Sequence, residues 1–190
     1  MACRGCSPIG GTGWRASAAG GSNAFDAAVA TAAALNVVEP FMSGFAGLGL
    51  ATAWVAAEER VRVLDFVTRI PASFPEGRFT QRSELERGAN AVSPPAGLAG
   101  WCELVERYGR MSLAEVFAPA ISLAMDGFAL SEFGADQFNE QLLLLPEWPE
   151  LHASVSNNYA RGSGTASVGT LIRQRELAQT LTDISMWSFI

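Results

Sequence analysis

Residues 22–49, SNAFDAAVATAAALNVVEPFMSGFAGLG, constrain the fold more than any other stretch: a nearly all-apolar helical run meets a Glu-Pro stop and then a glycine-rich turn. Asn23 suits an N-cap. Asp26 at the third helical position puts a carboxylate where free amides and the positive helix end favour one. From there to Val38 the only polar side chains are Asp26, Thr31 and Asn36. A helix without a solvated face is expected to lie buried between other layers. Pro40 ends it, because the residue before a proline disfavours helix. At about fifteen residues it falls short of the roughly 20 that span a bilayer, so a transmembrane reading is rejected.

The rest of the chain has room for a core around this helix. With 190 residues, 49% of them hydrophobic, one sizeable domain is expected. A net charge of -6, from 13 basic and 19 acidic residues, with no basic cluster, argues against nucleic acid and against an anionic membrane as partners. Cys3 and Cys6 form a C-x-x-C, but no second pair follows and the single histidine, His152, is remote. A metal or redox role is therefore not assigned. Cys102 lies on an apolar helix and reads as a small buried hydrophobe. No apolar h-region follows Met1, so no secretory signal is expected and no compartment is assigned. Residues 1–21 are expected to be a poorly ordered or truncated start, and residues 22–190 the domain.

Downstream the pattern reads helix, hairpin, loop, helices, loop, helix. Runs 50–57 and 60–66 are apolar, β-branched or aromatic and flank the polar pair Glu58-Glu59, which predicts an antiparallel hairpin. Val61, Val63 and Asp65 face one way and Arg62, Leu64 and Phe66 the other, a mixed pattern that suits a strand covered on much of both faces. Residues 71–88 read as a loop with one short helical turn. Ser112 and Glu115 form a capping box. Leu113, Val116, Phe117, Ala120, Ile121 and Ala124 then repeat as one buried helix face. Pro119 within that helix predicts a kink. Residues 159–170, rich in Gly, Ser and Thr, read as a mobile loop.

Two segments carry a family resemblance. Gly20, Gly21, Asn23, Ala24, Asp26, Ala27, Ala28, Val29, Ala30, Leu35, Val37, Glu39, Pro40, Ser43, Gly44 and Gly47 fall on a pattern close to GGNAxDAAVAxxxxLxVxEPxxSGxGGG, which resembles the opening of the gamma-glutamyltranspeptidase family. Ser22 is inserted before Asn23, and Ala46 and Leu48 interrupt the family's glycine run. Tyr108, Gly109, Leu113, Ala114, Pro119, Ala120, Ile121, Leu123, Ala124, Gly127 and Phe128 match a second segment, a Tyr-Gly stop before LAxxxxPAIxLAxxGF. LIRQRELAQTL is similar to the family's LxQPDLAxTL, with Arg175 in place of its proline. The resemblance runs over residues 20–183 and corresponds to the early part of the family's large subunit.

The resemblance implies an α+β class, part of a four-layer αββα N-terminal-nucleophile hydrolase fold with helices and an antiparallel hairpin. It also implies transfer of a gamma-glutamyl group from a glutathione-like donor to water or an amino acid. In such enzymes a threonine freed by self-cleavage attacks the amide, its own amine acting as base. That threonine opens the small subunit in a Thr-Thr-His-like context, with the oxyanion glycines. Thr12, Thr31, Thr52, Thr68, Thr80, Thr165, Thr170, Thr180 and Thr182 all lack this context. No catalytic residue is therefore named, the small subunit is the implied partner, and no metal or organic cofactor is implied. The alternative, of another class, is a non-catalytic truncated remnant or binding fragment. An in-frame continuation past codon 190 into a Thr-Thr-His-like motif would separate the two.

One substrate contact is expected from the portion present. The family's DFRExAP-like motif carries an arginine that pairs with the donor's alpha-carboxylate, two hydrogen bonds forming at once. The matching residues here are Asp65-Phe66-Val67-Thr68-Arg69-Ile70-Pro71, with Val67 in the arginine's place. Arg69, two residues on and on the same face if the strand persists, is the candidate substrate-binding residue; the alternative is an exposed strand-end charge. Gly44, Gly47 and Gly49 precede a strand instead of joining strand to helix, which disfavours a phosphate loop. His152 reads as a solvated loop histidine. Asp26 and Glu39 have structural explanations as first-turn and helix-end residues and receive no catalytic role.

Overall fold

The computed structural model describes residues 21–75 and 77–186. The Cys3–Cys6 pair, the expected N-terminal segment apart from Gly21, and residues 187–190 lie outside the described residues. The chain divides into two compact units, Met1–Ser43 with Leu104–Ile190, and Gly44–Glu103.

In the first unit α1 (Ala24–Val38) is built as its sequence dictates. Asn23 Oδ1 accepts from the N–H groups of Phe25 at 2.9 Å and Asp26 at 3.2 Å, and Asp26 Oδ2 accepts from the Asn23 N–H at 2.9 Å. The helix closes at Glu39, and Asn36 Nδ2 donates to Ser43 Oγ at 3.0 Å, tying the chain beyond Pro40 back to the helix. α2 (Ala96–Tyr108) has residues in both units. α3 (Leu113–Asp126) starts at the Ser112–Glu115 capping box and continues through Pro119 to Asp126. β3 (Phe128–Ala129) pairs antiparallel with β4 (Leu171–Ile172). α4 (Glu132–Leu144), α5 (Pro149–Tyr159) and α6 (Arg175–Ser185) complete the unit.

α1 packs on α3, and α3 on α6. Small residues let the axes approach closely: Ala30, Ala33 and Ala34 of α1, Ala120 and Ala124 of α3 and Ala178 of α6 are fully buried around Phe117 and Leu181. Two sequence expectations change here. His152 sits on α5, not in a loop, because Pro149 at the first helical position is already set for helix. Residues 160–170 are pinned instead of running free: Asn139 Oδ1 accepts the Ala166 N–H at 2.7 Å, its Nδ2 donates to the Ala166 carbonyl at 3.0 Å, and Leu130 exchanges backbone bonds with Thr170 and Gly169.

The second unit is the hairpin. β1 (Leu50–Val55) pairs antiparallel with β2 (Arg60–Asp65), Thr52 opposite Val63 and Trp54 opposite Val61. The turn is a short 3-10 segment, Ala56–Glu58, with Glu59 left-handed at φ 50°. Glu58 accepts from both Arg60 and Arg62. The Arg60 hydrogen bond first, and then the Arg62 hydrogen bond and both positive charges, hold its carboxyl below the usual range against the opposing effect of desolvation. The expectation of strands covered on both faces fails. Leu50, Thr52, Trp54, Val61 and Val63 share one face and are exposed, Trp54 by 61% and Val63 by 63%, whereas Ala51, Ala53, Val55, Arg62 and Leu64 on the other are partly or fully covered. Among the described residues nothing supplies a layer over the first face. Residues 71–88 contain the one short helical turn expected, the 3-10 segment Arg82–Leu85, and a second, Ala89–Ala91, follows them.

Candidate functional site

Local chemistry lifts the arginine-bearing segment off the sheet. β2 ends at Asp65, whose Oδ1 accepts the Val67 N–H at 2.9 Å, an Asx-type turn that redirects the chain. One residue earlier in the turn, the Phe66 N–H still donates to the Gly49 carbonyl at 3.1 Å. The Phe66 ring occupies space that side chains at Gly49 and Gly100 would need: a Cβ at either glycine would lie 2.4 Å from a ring carbon. Phe66 is thereby seated between the start of β1 and the middle of α2, and the next residues leave from that seat.

Arg69 is therefore not on a strand face. The strand does not persist to it, and the guanidinium is exposed in an irregular segment that lines a cavity of about 350 Å³. Thr68, Ile70, Phe74, Arg78, Asn90 and Ser93 line it too, all within the second unit. A turn closed by the Phe74 N–H on the Pro71 carbonyl at 2.9 Å, and another by the Arg78 N–H on the Pro75 carbonyl at 3.2 Å, curl residues 71–79 into its wall. The Phe74 and Phe79 rings pack tilted by 34° at 5.4 Å between centroids, and Arg78 Cζ lies 5.5 Å from the Phe79 ring centre. Among the described residues Arg69 has no ion pair or hydrogen bond, and no lining residue is acidic. The cavity thus offers positive charge, apolar wall and a few neutral polar groups. That combination suits a carboxylate, since an unpaired guanidinium presents two parallel donors.

The other sequence candidates separate from this site. The glycine turn uses its carbonyls on its own chain: the Gly47 oxygen accepts the Gly97 N–H at 2.8 Å and the Phe45 oxygen the Leu98 N–H at 3.3 Å. Amides at the start of α2 that a phosphate would need are so occupied, and a Cβ at Gly97 would lie 3.2 Å from the Phe45 carbonyl oxygen. Asp26 is fully buried and holds more than a cap: its carboxylate also accepts the Arg110 N–H at 3.1 Å and the Met111 N–H at 3.4 Å. A Cβ at Gly109 would lie 2.5 Å from Asp26 Oδ1, so the Tyr-Gly stop is glycine because the carboxylate fills that space. Glu39 closes α1, and Cys102 is buried and outside any disulfide. Among the described residues no three His, Cys, Asp or Glu side chains converge as metal ligands, and no helix is long and apolar enough to cross a membrane. Arg78 and the Phe74–Phe79 pair escaped sequence reasoning; the one available signal was an arginine between two phenylalanines in a Pro-Gly-rich loop.

Comparison with known proteins gives a consistent result. A family model described as gamma-glutamyltranspeptidase matches residues 12–187. The chain is 37% identical over 145 residues to the acylase ACY 1 proenzyme of Pseudomonas sp. (strain V22), covering 70% of this chain and 26% of that protein. It is 28% identical over 181 residues to glutathione hydrolase 3 of Arabidopsis thaliana, covering 95% of this chain and 27% of that protein. Among solved structures, the gamma-glutamyltranspeptidase of Helicobacter pylori superposes with a TM-score of 0.83 at 27% identity, over 94% of this chain and 52% of that one. The chain thus spans about a quarter of the length of these curated relatives.

Proposed function

The chain belongs to the gamma-glutamyltranspeptidase family, with an α+β fold of helices and an antiparallel hairpin, and on that premise we propose that it forms part of the large subunit of an N-terminal-nucleophile acyltransferase. Its reaction is transfer of a gamma-glutamyl group from a glutathione-like donor to water or an amino acid. The threonine nucleophile and oxyanion donors come from a small subunit, as the family chemistry implies. Within the present chain Arg69 holds the donor's alpha-carboxylate. The observation that carries this role is an unpaired guanidinium on a cavity without an acidic lining residue among those described.

The uncovered hairpin face supports the partner half of the reading. Leu50, Trp54, Val61 and Val63 form an apolar strip on a two-stranded sheet, and such sheets need further strands or layers for stability. The name of the Pseudomonas relative describes a proenzyme, which accords with a chain that is later divided.

The test extends this chain with a matching small subunit. Arg69→Ala should lower kcat/KM by the equivalent of about 2–5 kcal/mol for donors bearing an alpha-carboxylate, with Arg69→Lys intermediate and a donor lacking that group almost unaffected. An identical ratio between the two donors in wild type and Arg69→Ala would reduce Arg69 to a surface charge. The 190-residue chain alone should release no product from a gamma-glutamyl chromogenic amide.

A further inference from the structure

The outward stripe of α3 presents hydrogen-bond acceptors and no spare donors. Glu115, Ala118, Pro119, Ser122 and Asp126 recur at three- and four-residue intervals and so share one face of the helix. With Met111, Leu123 and Gly127 they line a groove of about 580 Å³ inside the first unit. The middle of the groove is apolar, and a carboxylate stands at each end. Among the described residues neither Glu115 nor Asp126 forms an ion pair, and no lining residue is basic. The donors nearby are already engaged. Ser122 Oγ donates to Asp126 Oδ2 at 2.8 Å, the Gly127 N–H to the Leu123 carbonyl at 3.1 Å, and the Met111 N–H to Asp26 Oδ1 at 3.4 Å. Arg173, outside the lining, gives its Nε–H to the Asp126 backbone carbonyl at 3.0 Å. Pro119 has no N–H for the Glu115 carbonyl one turn back, so that oxygen, on the same stripe, lacks its helical donor.

We propose that this groove binds a linear aliphatic amine with a positive charge at each end, of the polyamine class, one end on Glu115 and the other on Asp126. Length and charge together select it. The eleven positions from Glu115 to Asp126, at about 1.5 Å each, set the two residues roughly 16 Å apart along the helix. An extended chain gains about 1.2 Å per bond, since a residue of three bonds reaches about 3.6 Å, so the thirteen bonds between the end nitrogens of spermine span roughly the same 16 Å. The methylenes between them lie over Ala118, Pro119 and Leu123, and inner ammoniums meet Ser122 Oγ and the Glu115 carbonyl. Both ends stay negative at neutral pH. The Ser112 hydroxyl first, and then its amide, hold the Glu115 carboxyl below the usual range against desolvation, and the C-terminal end of α3 adds partial negative charge beside Asp126.

The experiment titrates the isotope-labelled full chain with spermine, α,ω-diaminododecane and putrescine, and follows the backbone amide signals of residues 111–127. The first two share one span, with and without inner charges, while putrescine carries the same two end charges as the diaminododecane but reaches one carboxylate at a time. Both long amines should bind about tenfold more tightly than putrescine, the worth of a second charge-assisted contact. Glu115→Gln keeps the capping box, and Asp126→Asn keeps an acceptor for Ser122, so the helix should survive both. Each should weaken the long amines about tenfold and erase the preference for length. Glu147→Gln removes the same charge from an exposed residue off the groove and should change nothing. Equal affinity for putrescine and the long amines, a loss on Glu147→Gln as large as on Glu115→Gln, or no response at residues 111–127 would each overturn the proposal. Either of the first two results would reduce the binding to general attraction toward a chain of net charge -6.

Discussion

The helical unit and the hairpin unit have spent their apolar residues in opposite ways. In the first, Ala33, Phe117 and Leu181 are all fully buried where α1, α3 and α6 pack together, and the polar groups at the helix ends are capped. In the second, side chains of similar hydrophobicity, Leu50, Trp54 and Val63, stand in solvent on one strand face. The contrast teaches where to look for function. A finished core explains itself by its own contacts, while the hairpin's apolar face has no cover and its cationic cavity no acidic lining residue among the described residues.

The contrast is most easily broken at Phe117. If the helical unit is the closed core, Phe117→Ala should lower unfolding free energy by about 3–5 kcal/mol through lost burial and a residual cavity, read by urea denaturation. A loss below about 1 kcal/mol would show that α1, α3 and α6 do not form the stabilising core. Asp26→Ala comes next. It removes the acceptor of the Asn23 N–H in the α1 capping box and leaves the amides of Arg110 and Met111 without theirs, an expected loss of about 2–3 kcal/mol, whereas a simple exposed cap would cost about 1.

The same unit offers a pH test. Burial pushes the Tyr159 hydroxyl from 10.0 up to about 12, and it donates to Gln174 Oε1 at 3.3 Å while stacking on Phe138. The folded state therefore holds this proton more tightly than the unfolded state. Tyr159's contribution is complete below pH 10 and is lost as pH climbs through about 12. The chain contains no lysine and only two tyrosines, so few other groups titrate in that window. Tyr159→Phe should flatten the fall of the urea midpoint over it; an unchanged fall would assign the dependence elsewhere. The smallest effect on stability belongs to the hairpin. Trp54→Ser should shift unfolding free energy by no more than about 0.5 kcal/mol, yet reduce apolar-dye binding and self-association in size exclusion. A large loss of stability would mean that the hairpin face is already part of a core.

Much of the helical unit was legible because its signals are local. Asn23 and Asp26 announce the start of α1, Pro40 its end, and Ser112 with Glu115 the start of α3, each within four residues of what it controls. The hairpin's strands were legible for the same reason, each pattern being read along one short segment; its register was not, since Ala56 and Ala57 join the 3-10 turn and Val55 pairs with Arg60. What else escaped depends on residues distant in sequence. The second duty of Asp26 lies with amides more than eighty positions away, and Asn139 clamps Ala166 across 27 residues. Placing Arg69 on a strand face required the strand to persist past Asp65, and a side chain bonding two residues ahead turns the backbone instead. Which faces are covered was illegible too, since coverage belongs to packing and not to pattern.

The seat of Phe66 has a further meaning for how such a site changes over time. Because the ring lies where side chains at Gly49 and Gly100 would be, two glycines on separate elements set the height at which the arginine-bearing segment leaves the sheet. Neither glycine lines the cavity. The arginine's position is thereby adjustable from outside the cavity: a methyl group added in the middle of α2 displaces the ring and, through it, the backbone that carries Arg69. The shape of the cavity can thus be reset through a helix residue that does not line it.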